Sequence, residues 1–184
     1  MQTYDGSLFT MSGGIISDNY ASVGGGVRLE NDNRFIISGG TISGNNAENG
    51  GGGVSMFGGT FTIKGGTISD NRAGNSGGGV HVGDDCNFIM EDGTISGNSA
   101  SQGGGIFFLR DRGCSFTMKG GRIQGNTDSD GFTKNTGANA AISLDSSTTA
   151  KWGTGGAYTK GGAAQTGGSN IGSTDDTLIA IPVP

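Results

Sequence analysis

The side chain best suited to acid–base chemistry occurs once in this chain, as His81. Ser55 and Phe107 occupy the matching points of neighbouring sequence repeats. A Ser-His-Asp triad also needs a carboxylate within hydrogen-bond reach of the imidazole, and no Asp or Glu shares this point of the repeat. We therefore expect His81 to project outward from a strand, and we predict no catalytic residue.

The two cysteines could form a covalent link. Cys86 and Cys114 each lie two residues before a repeated phenylalanine, so stacked coils would place their Cα atoms about 5 Å apart, within disulfide range. A disulfide and two stacked, reduced thiols both remain open. Beyond them, Asp84 and Asp85 beside Asp111 could hold calcium weakly, but arginines lie close in sequence. We predict no metal site and no cofactor.

Hydroxyl side chains recur in pairs at a regular spacing. A Thr-x-Ser unit could order water or contact sugars, which makes an ice- or glycan-binding face one hypothesis. Lyase or glycosidase chemistry would instead require paired carboxylates, and the pattern supplies only hydroxyls. The candidate binding face consists of Thr41, Ser43, Thr67, Ser69, Thr94 and Ser96.

The overall charge argues against two classes of partner. The net charge is −5 without a basic cluster, whereas phosphate recognition needs gathered Lys and Arg. No apolar run approaches the ~18 residues of a membrane span. The chain begins within a repeat, so we expect a native signal or anchor upstream of it.

These residues all belong to a repeat that recurs every 26, 26, 27 and 28 residues. Each unit carries Phe-x-(Met/Ile), an Ile seven residues after the Phe, an Asn three residues further, and a glycine-rich bend before an apolar-x-apolar strand. Such a period indicates a solenoid. The repeated residues are Phe9, Phe35, Phe61, Phe88 and Phe116; Ile16, Ile42, Ile68, Ile95 and Ile123; and Asn19, Asn45, Asn71, Asn98 and Asn126.

Short strands with a period of two, interrupted by glycine pairs, cannot form helices. They also cannot pair within one repeat, so each must pair in parallel with its counterpart one coil away. We predict an all-β, right-handed parallel β-helix (β-solenoid) with three short strands per coil of about 26–28 residues and about five to six coils. Bends are expected at Gly65-Gly66 and at Gly77–Gly79.

Stacking places identical side chains in columns. The Phe and Ile columns should fill the interior, and the Asn column should form a hydrogen-bonded ladder at a corner. We assign residues 1–144 to the repeat region. Residues 145–184 are expected to form an irregular last coil and a C-terminal cap of the same domain, after a loop that projects beyond Asn126.

The segments Phe61–Asn71 and Gly77–Val82 resemble repeats of parallel β-helix surface proteins, including bacterial adhesin-like proteins and secreted or lipid-anchored spirochaetal proteins. The resemblance covers about residues 8–144. It implies an extracellular or cell-surface location. Polysaccharide lyases and tailspike hydrolases share this fold, but a shared fold does not carry function.

The leading hypothesis is a non-catalytic, surface-displayed structural or adhesive module. One alternative is a fragment of a polysaccharide-binding or polysaccharide-degrading β-helix protein. The other is the ice- or glycan-binding hydroxyl face. Expected partners are host or self surface proteins or glycans, with end-to-end self-association at an open solenoid end; we expect no nucleic acid and no membrane span.

Overall fold

The computed structural model of the protein describes residues 6–109, 114–125, 135–138, 142–144, 150–152, 157–160, 163–165, 170–171, 174–175 and 177–181. The described strands, in chain order, are β1 (Leu8–Met11), β2 (Ile15–Ser17), β3 (Tyr20–Ala21), β4 (Val27–Glu30), β5 (Arg34–Ile37), β6 (Thr41–Ser43), β7 (Asn46–Ala47), β8 (Val54–Phe57), β9 (Gly59–Ser69), β10 (Arg72–Ala73), β11 (Val80–Val82), β12 (Cys86–Ser96), β13 (Ser99–Gln102), β14 (Ile106–Phe108), β15 (Ser115–Met118), β16 (Arg122–Ile123), β17 (Thr136–Ala138), β18 (Ile142–Leu144), β19 (Ala150–Trp152), β20 (Ala157–Lys160), β21 (Ala163–Gln165), β22 (Asn170–Ile171) and β23 (Leu178–Ile181).

The strands form three parallel sheets that run along one solenoid axis. Sheet A contains β1, β5, β9, β12 and β15 together with β2, β6 and β16. Sheet B contains β3, β7, β10, β13 and β17, and sheet C contains β4, β8, β11, β14 and β18. Each of these strands pairs with its counterpart in a neighbouring coil, because a strand of a few residues finds no partner within its own coil.

The predicted fold class is confirmed: the chain is an all-β parallel β-solenoid with three parallel sheets. The predicted count of five to six coils is wrong, because the solenoid makes about four turns. Parallel pairing continues through β17, β18 and β19. The later strands pair antiparallel: β22 with β19, β23 with β16, and β20 with β23 and β21. The described part of the chain contains no helix, and so none that could cross a membrane.

The three faces differ from those expected from the sequence. The Phe and Ile segments share sheet A, and in two coils they fuse into the 11-residue strands β9 and β12. The predicted bend at Gly65-Gly66 therefore lies inside β9, although Gly66 has a φ of 87°. The third face is sheet B, formed by short strands directly after the Asn column, which the sequence pattern did not indicate.

The interior is one narrow apolar column, because the inward side chains of sheets A and C meet across the coil. Val27, Val54, Val80 and Ile106 are fully buried on sheet C, opposite the Phe and Ile columns of sheet A. The large exposed apolar side chains in the described part of the chain, Leu8, Ile15 and Tyr20, all belong to the first coil. In the next coil the equivalent positions hold the polar residues Arg34, Thr41 and Asn46.

The middle glycine of each glycine-rich bend sits where backbones of successive coils nearly touch. A Cβ added to Gly52 would contact the carbonyl oxygen of Arg72 and lie 2.5 Å from that of Gly78. Real Cβ atoms do not approach oxygen so closely, and both obstacles are backbone. The bend therefore requires glycine for close approach rather than for flexibility.

We expect Gly52→Ala to lower the free energy of unfolding by about 2–3 kcal/mol, because overpacking forces the stacked backbones apart. Urea denaturation would measure the change. The matched control is Gly13→Ala, since nothing lies within 4 Å of a Cβ added there, and it should change stability by less than about 0.5 kcal/mol. Equal effects of the two substitutions would contradict the close-approach argument.

Candidate functional site

The most regular polar feature is a ladder of asparagine amides at the corner between sheets A and B. The Asn45 side-chain NH₂ donates to Asn71 Oδ1 at 2.9 Å, and the Asn45 backbone N–H donates to the same oxygen at 3.0 Å. Asn71 repeats both bonds to Asn98 at 2.9 and 3.1 Å, and Asn19 begins the ladder with both bonds to Asn45. Each buried amide is therefore bonded within the scaffold.

The last described step of the ladder differs from the prediction. The spacing assigned it to Asn126, which lies outside the described residues. Asn135 occupies the place next to Asn98 instead: its Oδ1 accepts the Asn98 backbone N–H at 2.8 Å and the Asn98 side-chain NH₂ at 3.0 Å. The extra residues thus precede the ladder amide in the chain instead of following it. The regular spacing between Phe and Asn points to Asn126 and carries no signal for Asn135.

The residues directly before the ladder asparagines are turn formers, not acid candidates. Asp18 and Asp70 have φ values of 58° and 57°, and the equivalent Gly44 and Gly97 have values of 66° and 68°. A left-handed backbone is tolerated best by Gly, Asn and Asp. The alternation of Asp with Gly at this point therefore reflects one backbone requirement.

The phenylalanine column is a continuous stack of rings. Centroids are 4.9 Å apart for Phe9–Phe35 and Phe35–Phe61, and 5.1 Å apart for Phe61–Phe88 and Phe88–Phe116. The isoleucine column also stays in register from coil to coil. Its members are half-buried at Ile16 and fully or almost fully buried at Ile42, Ile68, Ile95 and Ile123.

His81 is not an outward, solvent-facing residue as predicted. Its neighbours in sheet C are Ser55 and Phe107, as expected, but its side chain is only 6% exposed. Its ring centroid lies 5.5 Å from those of both Phe57 and Phe107. A Cβ on Gly50 would come within 2.8 Å of the imidazole, so a glycine bend lies directly across the outer face of the strand.

Burial decides the protonation of His81. Desolvation lowers the pKa of His81 from 6.5 to about 4, so the imidazole is neutral near pH 7. Among the described residues, His81 Nδ1 and the neighbouring Ser55 Oγ have no hydrogen-bond partner. The two groups are adjacent in register but enclosed, which makes the pair a packing element of sheet C.

This burial predicts an acid-sensitive stability. In the unfolded chain His81 takes up a proton near pH 6.5, whereas the folded protein resists it until about pH 4. The free energy of unfolding should therefore fall as pH drops through this window, by about 3 kcal/mol from this residue. Urea denaturation across the window would measure it. His81→Phe, which keeps a ring and removes the charge, should lose that part of the pH dependence; parallel profiles for the two proteins would contradict the assignment.

The predicted hydroxyl face is assembled in register on sheet A. Thr41, Thr67 and Thr94 align on β6, β9 and β12, and so do Ser43, Ser69 and Ser96. Five of these side chains are half-buried and Ser96 is buried. The Thr row ends at Ile15, which is exposed, and at Arg122, whereas the Ser row continues to Ser17 in the first coil. The face is therefore a small, flat array of hydroxyls two residues wide.

The acidic corner between sheets C and A forms an open groove. It has a volume of about 500 Å³ and is lined by Asn31, Asp32, Phe57, Gly58, Asp84 and Asp85. Asp111, the third member of the weak calcium site considered from the sequence, lies outside the described residues. In the part of the chain that the structure describes, no three His, Cys, Asp or Glu side chains gather closely enough to hold a metal ion.

Both cysteines are buried, Cys86 at 1% and Cys114 at 8% exposure, and they are present as thiols.

Two structurally important residues, Phe57 and Asn33, were not singled out from the sequence. Phe57 covers His81. The buried side chain of Asn33 accepts from the Ser7 N–H and donates to the Glu30 carbonyl oxygen. Neither recurs in the other repeats, so the periodic pattern carried no signal for them.

The asparagine and histidine side chains described above pack in the scaffold or form hydrogen bonds within it. The amides saturate one another, the imidazole is enclosed by rings, and the hydroxyls form the accessible regular surface. No protein-family model, curated protein or solved structure matches this chain.

Proposed function

We propose that this chain is a non-catalytic, surface-displayed structural and adhesive module, a rigid spacer that holds its outward faces at fixed distances. The observation that carries the proposal is the pairing of two continuous ladders: the amide ladder from Asn19 to Asn135 and the ring stack from Phe9 to Phe116. Each repeat contacts only its neighbours in such a solenoid. The recurrence of the same Asn and Phe side chains from coil to coil therefore supports a scaffold of fixed length and high stiffness.

The chemistry-bearing side chains support the same proposal. His81 is neutral and enclosed, and Asp18 and Asp70 serve a left-handed turn. Lys64 and Lys119 flank Glu91 at 3.9 and 3.5 Å as exposed ion pairs, which stabilise little. Each of these groups has a structural role, whereas an enzyme would need such groups free to react with a substrate.

Incubation with a panel of acidic and neutral polysaccharides tests the non-catalytic part. We expect no new reducing ends and no unsaturated products; either would overturn it.

Surface display is tested on intact cells of the producing organism by antibody labelling before and after external protease. Labelling that requires cell lysis would overturn the proposed location.

A second candidate function is binding of glycans or ice by the hydroxyl face. The observation that favours it is the in-register alignment of half-buried Thr and Ser on β6, β9 and β12. Neighbouring strands of a sheet are about 4.8 Å apart, so the hydroxyls form a regular lattice without large side chains between them.

Thr67→Tyr would place a bulky ring in the centre of this face. If the face binds a glycan or ice, retention on a glycan array or thermal hysteresis should be lost in Thr67→Tyr. Thr60→Tyr, on the part of β9 that lies outside the hydroxyl rows, is the matched control and should retain the activity. Absence of both activities in the unmodified protein would remove this candidate.

A further inference from the structure

Cys86 and Cys114 face each other across one step of the solenoid. Cys86 is the first residue of β12, and Cys114 directly precedes β15. Because Asn87 is in register with Ser115, the two cysteines occupy equivalent positions of adjacent coils. Adjacent strands lie about 4.8 Å apart, and a disulfide spans Cα separations of about 4.4–6.8 Å. The strand register therefore places the two Cα atoms within the range that a disulfide spans.

The same column shows why the thiols meet only at this step. Its earlier members are Asn33 and Gly59, and Gly59 is in register with Cys86. The Asn33 side chain is bonded to backbone groups, and Gly59 has a φ of 83° and no room for a side chain beside the Asn33 carbonyl. Gly59 thus separates Asn33 from Cys86, and the two thiols are neighbours in the next step of the column.

The thiols are hydrogen-bonded to the neighbouring backbone and interact with each other. The Gly58 N–H lies 3.2 Å from Cys86 Sγ, and Cys114 Sγ donates to the Gly83 carbonyl oxygen. A hydrogen bond from the Cys86 side chain lowers the pKa of Cys114 to about 7, while that bond and burial raise the pKa of Cys86. Thiolate is the attacking form in disulfide exchange, so Cys114 is the first nucleophile.

We propose that Cys86 and Cys114 are a reversible disulfide site that links the coil carrying Phe88 to the coil carrying Phe116 in the presence of a small disulfide oxidant such as oxidised glutathione. The Cys114 thiolate attacks one glutathione sulfur, forms a mixed disulfide and releases one glutathione thiolate. Cys86 then gives up its proton and attacks Cys114 Sγ, releasing the second glutathione. Two cysteine thiols are oxidised to one disulfide, and one oxidised glutathione is reduced to two thiols.

The bond would strengthen a particular part of the fold. It encloses residues 87–113, the whole coil between the two cysteines. A cross-link restricts the unfolded chain, and we expect oxidation to raise the midpoint of thermal unfolding by about 5–10 °C. Reduction should return the midpoint to its starting value.

The test uses the native chain in glutathione buffers of increasing oxidising strength, followed by acid quenching, unfolding, alkylation and intact-mass measurement. The expected product has lost two hydrogen atoms and accepts no alkyl group. Two alkylated cysteines under the most oxidising buffer, or glutathione adducts alone, would overturn the proposal.

Single variants check that the bond is intramolecular. Cys86→Ser and Cys114→Ser should each yield only glutathione adducts or alkylated thiol. Oxidation should not raise the unfolding midpoint of either variant as it does for the native chain. A similar rise in either variant would contradict the assignment. Should a variant fail to fold, the mass of the oxidised native chain still decides the question.

Discussion

Replacement of Asn71 by alanine should lower the free energy of unfolding by about 4 kcal/mol. Asn71 is fully buried, and its Oδ1 accepts both the backbone N–H and the side-chain NH₂ of Asn45. Its own NH₂ donates to Asn98 Oδ1 and to the Ile42 carbonyl oxygen, each at 2.9 Å. Alanine leaves these groups buried without their partner, and water does not replace it. Urea denaturation followed by circular dichroism measures the change.

The matched control is Asn75→Ala. Asn75 also donates its side-chain NH₂ to an asparagine one coil away, Asn49, at 3.2 Å, but both residues are exposed. Water can replace that bond, so stability should change by less than about 0.5 kcal/mol. Asn71→Asp should be at least as harmful as Asn71→Ala, because a carboxylate cannot donate to Asn98 Oδ1 or to the Ile42 carbonyl. A loss at Asn75 as large as that at Asn71 would refute the ladder as a source of stability.

Replacement of Phe61 by alanine should cost about 3–5 kcal/mol. The Phe61 ring is fully buried and lies 4.9 Å from the Phe35 ring and 5.1 Å from the Phe88 ring, with interplanar angles of 8° and 5°. Alanine removes two ring contacts and leaves a cavity between strands that are pinned by hydrogen bonds on both sides. The coils therefore cannot collapse to fill it.

Phe61→Leu separates ring stacking from volume. Leucine fills much of the space, so its cost should be clearly smaller, below about 1.5 kcal/mol. Equilibrium unfolding of both variants, with the native chain as reference, gives the comparison. Equal losses for leucine and alanine would assign the effect to the stacked rings, and negligible losses for both would remove the column from the list of stabilising features.

The columns were predictable from the sequence because parallel in-register stacking copies one repeat onto the next. Once the period is known, Phe35, Phe61 and Phe88 must face the same way, and the hydroxyl rows follow from the same alignment. The position of Cys86 beside Cys114 also follows from this argument. No long-range information is needed, since the period itself specifies which residues are neighbours.

The environment of His81 was not predictable in this way. Alternation along β11 places its side chain opposite the buried Val80 and Val82, which normally means solvent. The bend that contains Gly50 crosses this outer face and Phe57 packs on the ring, so the outer position is enclosed. The repeat reveals the glycines but not the direction in which the bend turns.

Sequence by itself determined the period, the parallel solenoid and the members of the stacked columns, because each of these depends only on equivalent positions in consecutive repeats. Tertiary structure decided which outward positions are accessible, how the Phe and Ile segments merge into sheet A, and that Asn135 extends the amide ladder next to Asn98. These outcomes depend on the paths of bends and insertions between the strands. Backbone packing among several coils sets those paths, and no single repeat encodes them.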